Sequence, residues 1–268
     1  MALWSRRRFA QWLTLWGLSL PVRAAAPQSA LIDAYTLKRA GQRYRVIPLD
    51  LQQVQLKLFW QNAQGVRYGR LSRLDADLAA QGQQLLIGMN AGMYHANREP
   101  VGLYIERGLE RFALNTAQGA GNFFLQPNGV FAVNDQQQAA IYTTSAWATI
   151  QPHNIQYATQ SGPMLLTDGV INPIFQPQSS SRKIRNGVGV LSPTRVVLII
   201  SETPVNFYEF AQVFAGLGCT QALYLDGTIS SLYEAEHNRL IQRDELGVLI
   251  GVVQSSSTNK QASASPLP

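Results

Sequence analysis

Residues 222–232 have the sequence ALYLDGTISSL. The opening residues 222–225 form an apolar run between turn signals, which is typical of a strand buried on both faces. Asp226 ends this run, so its carboxylate is held at a rigid strand end, and Gly227 lets a substrate approach the backbone closely. We therefore predict a catalytic role for Asp226. The alternative is that Asp226 and Gly227 form a turn that closes a hairpin.

The first 26 residues predict an export signal. The sequence SRRRF at 5–9 is a twin-arginine signature, an apolar segment follows at 12–22, and three alanines at 24–26 offer a cleavage site. The apolar segment is too short for a permanent membrane anchor. We therefore expect a periplasmic protein exported by the twin-arginine route, although an uncleaved amphipathic anchor is an alternative.

The remaining chain is expected to form one domain over residues 27–253, because its length suits a single well-buried core. Residues 254–268 are rich in Ser, Ala, Gln and Pro without periodicity, which predicts a disordered tail. The sequence contains no signal of an oligomeric state.

The charge balance argues against nucleic acid as a partner. The chain has 22 Lys and Arg against 16 Asp and Glu, a formal net charge of +6. Four of the arginines lie in the export signal, so the charge that remains after its removal is small. The one basic cluster, RKIR at 182–185, is too short to follow a polymer and suits a single phosphate better.

Metal and disulfide chemistry are not indicated. Cys219 is the only cysteine and there are three histidines, so neither an internal disulfide nor a zinc site with soft ligands is expected. Cys219 lies between an apolar helix and an apolar strand, where a thiol is usually a small buried hydrophobe. We predict no cofactor and no metal, with a carboxylate-bound divalent ion left open.

The secondary-structure pattern consists of many short strands and few helices. One helix is predicted over residues 68–80, and a second begins with a capping box at Asn206 and Glu209 and stops at Gly218. The fold class is therefore α+β, with mixed, mostly antiparallel sheets and a few packed helices. Candidate strands are 44–49, 55–60, 85–89, 101–105, 129–133, 141–143, 163–166, 187–191, 195–200, 222–225 and 247–253.

Four further segments rich in Gly and Asn lie at the ends of apolar strands. They are NAGMYH at 90–95 with Glu99 and Gly102 behind it, GNFFLQPNGVF at 121–131, QSGPM at 160–164 and RNGVG at 185–189. Each alone is an ordinary turn signal. Together with Leu225-Asp226-Gly227 and Ser230, their order and spacing resemble the phosphodiester glycosidase family over residues 85–233. Thr228 and Ile229 stand where that family has a second glycine, which is expected to narrow the sugar pocket.

The resemblance implies hydrolysis of a sugar-1-phosphodiester at the sugar carbon, with a phosphorylated carbohydrate or cell-envelope glycan as partner. Asp226 and Glu99 would form the carboxylate pair at the sugar. Arg185 would clamp the phosphate through its planar guanidinium, unless it forms a structural ion pair with a carboxylate. The residues expected to bind substrate are Asn90, Gly92, Tyr94, Asn122, Ser161, Gly162, Asn186, Gly227 and Ser230.

Two other functions are compatible with parts of the sequence. A non-catalytic glycan-binding protein would keep the aromatic and asparagine residues without needing Asp226 and Glu99 to converge. A Ser-Lys hydrolase would use the S-x-x-K pair Ser180 and Lys183. The further S-D-N and K-T-G elements of such hydrolases are missing, which disfavours this interpretation.

Overall fold

The computed structural model describes residues 31–226 and 229–254, which contain three α-helices and seventeen strands. The helices are α1 (Leu71–Ala80), α2 (Thr144–Ile150) and α3 (Phe207–Gly216). The strands are β1 (Tyr35–Arg39), β2 (Gln42–Asp50), β3 (Val54–Phe59), β4 (Leu85–Asn90), β5 (Tyr104–Glu106), β6 (Leu109–Phe112), β7 (Gly129–Asn134), β8 (Ala139–Thr143), β9 (Ile155–Ser161), β10 (Met164–Thr167), β11 (Val170–Ile171), β12 (Asn186–Ser192), β13 (Arg195–Ser201), β14 (Gln221–Tyr224), β15 (Leu232–Glu234), β16 (Arg239–Ile241) and β17 (Leu249–Gln254).

The strands form three antiparallel sheets within the described part of the chain, so the predicted α+β class is confirmed. Sheet A has the order β1-β2-β13-β12-β14-β10-β11. Sheet B has the order β16-β15-β4-β17-β3, and sheet C has the order β6-β5-β9-β7-β8. The strand β14, which precedes Asp226, therefore lies inside sheet A between β12 and β10.

The three sheets share one core and each carries one helix on its outer face. Alternation of side chains along a strand puts every second residue on the inner face. The inner faces meet in a central apolar cluster that includes Leu198 of sheet A, Ile250 of sheet B and Phe131 of sheet C. On the outer faces, α3 packs on sheet A, α1 on sheet B and α2 on sheet C.

Helix α3 begins as its sequence indicates. The Asn206 side chain accepts a hydrogen bond from the Glu209 backbone at 2.9 Å, and the Glu209 carboxylate accepts one from the Asn206 backbone at 3.0 Å. This confirms the capping box, and Gly218 beyond the helix has a φ of +84°. The apolar residues Phe210 and Phe214 are fully buried against sheet A. The other predicted helix, α1, begins three residues later than expected, at Leu71.

All eleven predicted strands are present, although the segment 101–105 becomes a strand only at Tyr104. Six strands and helix α2 were not predicted. Strand β9 shows the reason most clearly, because Thr159, Gln160 and Ser161 are polar yet at most 1% exposed. A buried strand with polar side chains lacks the apolar run that identifies a buried strand from sequence.

The buried thiol of Cys219 behaves as the sequence indicates. Its side chain lies in the apolar cluster between α3 and sheet A. Burial raises the pKa of this thiol to about 12, so it stays protonated at neutral pH. Cys219 is therefore a packing residue.

Candidate active site

The site is centred on the loop that follows β14. Leu225 is fully buried, whereas Asp226 is partly exposed, so the carboxylate stands at the point where the sheet reaches solvent. This confirms the prediction of a buried strand that ends at Asp226. Gly227 and Thr228 lie outside the described residues, and the predicted role of Gly227 remains a prediction.

Asn90, at the end of β4 in sheet B, holds the loop from both sides. Its Nδ2 donates to the Asp226 carbonyl oxygen at 2.6 Å, and its Oδ1 accepts from the Ser231 backbone N–H at 2.9 Å. The Asn90 side chain is fully buried. Since a buried carboxamide without partners is costly, both bonds fix the loop in one conformation. Asn90 therefore positions Asp226.

Two more predicted site residues support the same segment. The Asn186 Nδ2 donates to the Asn90 carbonyl oxygen at 2.8 Å, and the Asn186 carbonyl oxygen accepts from the Leu225 N–H at 3.1 Å. The Ser161 hydroxyl donates to the Leu225 carbonyl oxygen at 3.0 Å. The end of β14 is thus braced by its neighbour β12 in sheet A, by β4 of sheet B and by β9 of sheet C. These side chains were predicted to contact sugar, and the structure shows them holding protein backbone.

The Asp226 charge acts on the phenol of Tyr94. Burial, and then the Asp226 charge, raise the pKa of the Tyr94 phenol. The hydroxyl donates to the Glu245 carbonyl oxygen at 3.1 Å, and the Arg98 guanidinium lies 5.2 Å from the ring centroid. Tyr94 as a whole is only partly buried.

Glu99 is exposed on the hairpin that follows Tyr94. Its carboxylate accepts a hydrogen bond from Asn97 Nδ2 at 2.8 Å, and its carbonyl oxygen accepts from the His95 N–H at 2.8 Å. This carboxylate is therefore a solvated surface group. A joint role with Asp226 stays a prediction.

Ser230 and Asn122 lie at two edges of the site. The Ser230 hydroxyl lies 3.4 Å from the Ile184 carbonyl oxygen, next to the segment that leads into β12. Asn122 lies beside Gly162, where a Cβ atom added to the glycine would come within 2.7 Å of the Phe123 carbonyl oxygen and 3.4 Å of the Asn122 carbonyl oxygen. The glycine is therefore required for close packing at this point.

Arg185 has the surroundings of a structural arginine. It is 1% exposed, its Nε donates to the Val205 carbonyl oxygen at 2.9 Å, and its Nη2 donates to the Ser181 carbonyl oxygen at 2.9 Å. The guanidinium carbon lies 3.7 Å from the centroid of Phe207, and burial lowers the pKa of the group. No ion pair of Arg185 occurs within the described residues.

The direction of Arg185 follows from strand alternation. Phe207 and Val205 belong to the cluster on the α3 side of sheet A, so Arg185 points to that side. The next residue, Asn186, points the opposite way and bonds to Asn90. These contacts favour a structural role for Arg185 over the predicted phosphate clamp. The structural partners of the guanidinium are two carbonyl oxygens and the Phe207 ring, and not the carboxylate of the predicted ion pair.

The remaining candidates from the sequence do not form a second site. Ser180 and Lys183 are both exposed, and within the described residues no hydrogen bond joins their side chains. Among residues 31–226 and 229–254, no group of three or more His, Cys, Asp or Glu side chains is arranged to hold a metal ion. In the same residues, no helix is long and apolar enough to cross a bilayer.

Gln160 is a supporting residue that sequence reasoning did not single out. Its Oε1 accepts from the backbone of Leu103 at 3.0 Å and of Asn115 at 2.9 Å, and its Nε2 donates to the Asn115 carbonyl oxygen at 2.8 Å. It is 1% exposed, so these bonds replace water completely. The signal was present in the QSGPM segment, but only its serine and glycine were interpreted.

The close packing around Gly92 leads to a prediction about the stability of the fold next to the site. A Cβ there would lie 2.7 Å from the Gln160 carbonyl oxygen and would overlap the Thr159 hydroxyl. Gly92→Ala is therefore expected to destabilise the fold by about 1–3 kcal/mol, measured by urea unfolding. The matched control is Gly216→Ala in α3, which meets only the flexible end of Arg39 and should be neutral or stabilising by up to about 1 kcal/mol. Equal stability of both variants would contradict the close approach.

Comparisons with known proteins agree with this architecture. The chain is 44% identical over 215 residues to the uncharacterized protein YigE of Escherichia coli (strain K12), covering 80% of this chain and 81% of that protein. The catalytic domain of zebrafish N-acetylglucosamine-1-phosphodiester alpha-N-acetylglucosaminidase, auto-inhibited by its pro-peptide, is similar with a TM-score of 0.57 and 12% identity over 85% of each chain.

A putative exported protein from Burkholderia pseudomallei K96243 is similar with a TM-score of 0.53 and 12% identity, covering 79% of this chain and 74% of that one. At such identities the two structures show a shared fold. The family model for phosphodiester glycosidases matches residues 83–253, a segment that includes every described residue bonded to Asn90. The resemblance found in the sequence is thereby confirmed, and the chain belongs to the phosphodiester glycosidase family.

Proposed function

We propose that this protein hydrolyses the bond between the sugar carbon and the phosphate oxygen of a sugar-1-phosphodiester, with Asp226 as its principal catalytic residue. Membership of a glycosidase family supports hydrolysis. The zebrafish relative is named for action on N-acetylglucosamine-1-phosphodiesters, which supports this class of bond. The identity of the sugar is left open by the 12% identity to that relative.

One observation carries the proposal, namely the clamp that Asn90 forms on the Asp226 loop. A catalytic carboxylate must be held in place before the reaction, since freezing it during the reaction costs free energy. The two Asn90 hydrogen bonds, at 2.6 Å and 2.9 Å, fix the backbone on both sides of the loop. Asp226 as a whole stays partly exposed, at the edge of the sheet that substrate can reach.

The reaction adds water across the glycosidic bond. The bond between the anomeric carbon and the phosphate oxygen breaks, and the phosphate oxygen keeps the electron pair. The sugar receives the hydroxyl group and the phosphomonoester leaves as an anion, which is a weak base and needs little help from a general acid. Asp226 would either attack the anomeric carbon or take the proton of an attacking water.

Glu99 is proposed as the second carboxylate, because it lies on the hairpin that carries Tyr94 beside Asp226. Retaining glycosidases hold their two carboxyl groups about 5–5.5 Å apart, and inverting enzymes about 6.5–9.5 Å apart. Because Glu99 is a solvated surface group, it would have to approach the sugar when substrate binds.

Export forms part of the proposal. The leader and its cleavage site lie outside the described residues, and the twin-arginine signature at 5–9 supports delivery to the periplasm. A substrate from the cell envelope would be accessible there.

The proposal is tested by a hydrolysis screen with the purified full chain. Alkyl sugar-1-phosphodiesters are compared with nitrophenyl glycosides and nitrophenyl esters, and reactions are run in ¹⁸O-labelled water. Only the phosphodiesters should be cleaved, and the label should appear in the sugar, because the sugar carbon is attacked. Label in the phosphate, or cleavage of plain glycosides or esters alone, would overturn the proposed reaction. Binding of sugars without any turnover would favour the glycan-binding alternative.

A further inference from the structure

A cavity of about 320 Å³ opens beside the loop that follows Asp226. Ile229 and Ser230, three and four residues after Asp226, form part of its lining. Ile184 lines it from the other side and lies two residues before Asn186, which is bonded to Asn90. The cavity therefore adjoins the candidate active site and shares the loop that Asn90 holds.

The charged lining of the cavity is mainly basic. Three arginines and two carboxylates line it, namely Arg43, Arg239, Arg243, Glu202 and Asp244, which leaves one net positive charge. Glu202 is already paired, lying 2.9 Å from Arg239 and 3.5 Å from Arg43. Within the described residues, Arg243 has neither an ion pair nor a side-chain hydrogen bond, and it is exposed. Its guanidinium is thus available to an anion.

A second layer of charges holds Arg239 in place. The Glu234 carboxylate lies 3.4 Å from Arg239 and 2.8 Å from Arg45, and Glu234 is 1% exposed. This buried pair makes the position of the Arg239 guanidinium well defined. Arg45 and Glu234 balance each other, so the cavity keeps its single positive charge. A phosphodiester carries one negative charge at neutral pH.

The remaining wall of the cavity is mainly apolar, with Ser201 and Ser230 as its polar members. Four isoleucines contribute to it, namely Ile184, Ile200, Ile229 and Ile241. Ile241 is 37% exposed, so it stands at the mouth of the cavity. Branched aliphatic side chains next to guanidinium groups suit a ligand that has both a phosphate and a hydrocarbon part.

We propose that this cavity binds the phosphate and the apolar alcohol of the substrate, so that the substrate class is a phosphodiester between a sugar and an apolar alcohol. The inference rests on the proposed function. It places the positive charge for the phosphate on Arg243, beside the paired Arg239, because the Arg185 guanidinium is directed to the α3 side of sheet A. The sugar lies on the Asp226 side of the shared loop, and the leaving group lies in the cavity.

The test measures binding alone. Calorimetric titrations of the full chain use inorganic phosphate and n-octyl phosphate, the latter below its micellar concentration. The wild-type protein should bind octyl phosphate more tightly than phosphate. Arg243→Ala should weaken both by about tenfold, since one charge-assisted contact is lost. Ile241→Ser should weaken octyl phosphate alone. Arg195→Ala, an exposed arginine at the start of β13, makes the same charge change away from the cavity and should bind as wild type does.

The outcomes separate this inference from the proposed function. No binding of octyl phosphate, or equal affinity of the Arg243→Ala and Arg195→Ala variants, would overturn the cavity assignment even if phosphodiesters are hydrolysed. Octyl phosphate binding that depends on Arg243 and Ile241 would support the cavity assignment even if the screen finds no hydrolysis of sugar-1-phosphodiesters.

Discussion

Replacing Asp226 by asparagine is expected to lower kcat by about 10²–10⁴-fold, the range typical of losing a positioned acid or base. The two side chains have nearly the same size. The Asn90 bond is made to the Asp226 backbone carbonyl and not to the carboxylate, so it survives the change. The melting temperature and the affinity for substrate should therefore stay close to those of the wild type. Turnover of an alkyl sugar-1-phosphodiester and a thermal melt measure the two effects.

A matched control is Asp168→Asn. Asp168 accepts a hydrogen bond at 2.8 Å from Gln221, at the opposite end of β14. It has the same charge as Asp226 and contacts the same strand, yet lies away from the loop. This variant should keep normal turnover. Near-normal turnover of Asp226→Asn would refute the catalytic assignment and leave Asp226 as a turn residue.

Replacing Arg185 by alanine is expected to destabilise the fold by about 3–5 kcal/mol, at the upper end of single-residue effects. The Val205 carbonyl would keep the Lys183 N–H as a donor but lose the Arg185 Nε, and the stacking on Phe207 would be lost, worth about 2 kcal/mol when desolvated. Truncating this fully buried side chain would also leave a cavity, which adds to the loss. A lysine has one ammonium group and no planar fork, so Arg185→Lys should recover only part of the loss. Chemical denaturation measures both variants.

Arg182→Ala is the control for Arg185. Arg182 lies three residues earlier and pairs with Glu209 at 2.8 Å, but its side chain is 37% exposed. A surface ion pair contributes about 0–1 kcal/mol, so this variant should unfold almost as the wild type does. If Arg185→Ala kept wild-type stability and lost turnover, the phosphate-clamp interpretation would be correct instead.

The two variants distinguish residues that act on substrate from residues that hold the site. Asp226 should affect turnover and not stability, because the residue is partly exposed and asparagine has nearly the same size. Arg185 should affect stability first, because its guanidinium is enclosed by protein. Asn90 belongs between them, since its buried amide positions the catalytic loop through the Asp226 and Ser231 backbone.

Local sequence determined the elements that carry the site. An apolar run predicts β14 because a strand inside a sheet must bury its side chains, and the capping box predicts the start of α3 because a helix leaves its first N–H groups unpaired. The order of Gly- and Asn-rich segments was sufficient to recognise the family. Strand β9 was not predicted, because its end is made of the buried polar residues Thr159, Gln160 and Ser161. Their hydrogen-bond partners lie far away in the sequence, as the Ser161 bond to Leu225 shows, and a local sequence pattern contains no information about them.

Only the tertiary structure decided what the neighbouring residues Arg185 and Asn186 do. The sequence places both residues at the same strand end. Because side chains alternate between the two faces of a strand, Arg185 points to the α3 side of sheet A, and Asn186 points to Asn90, 96 positions earlier in the chain. The cavity lined by Arg43, Arg239 and Arg243 likewise combines residues from β2, β13, β16 and the segment after β16. No short sequence motif contains them all. A sequence pattern reports neighbours along the chain, whereas the face of a strand and the charge of a cavity depend on which sheets pack together.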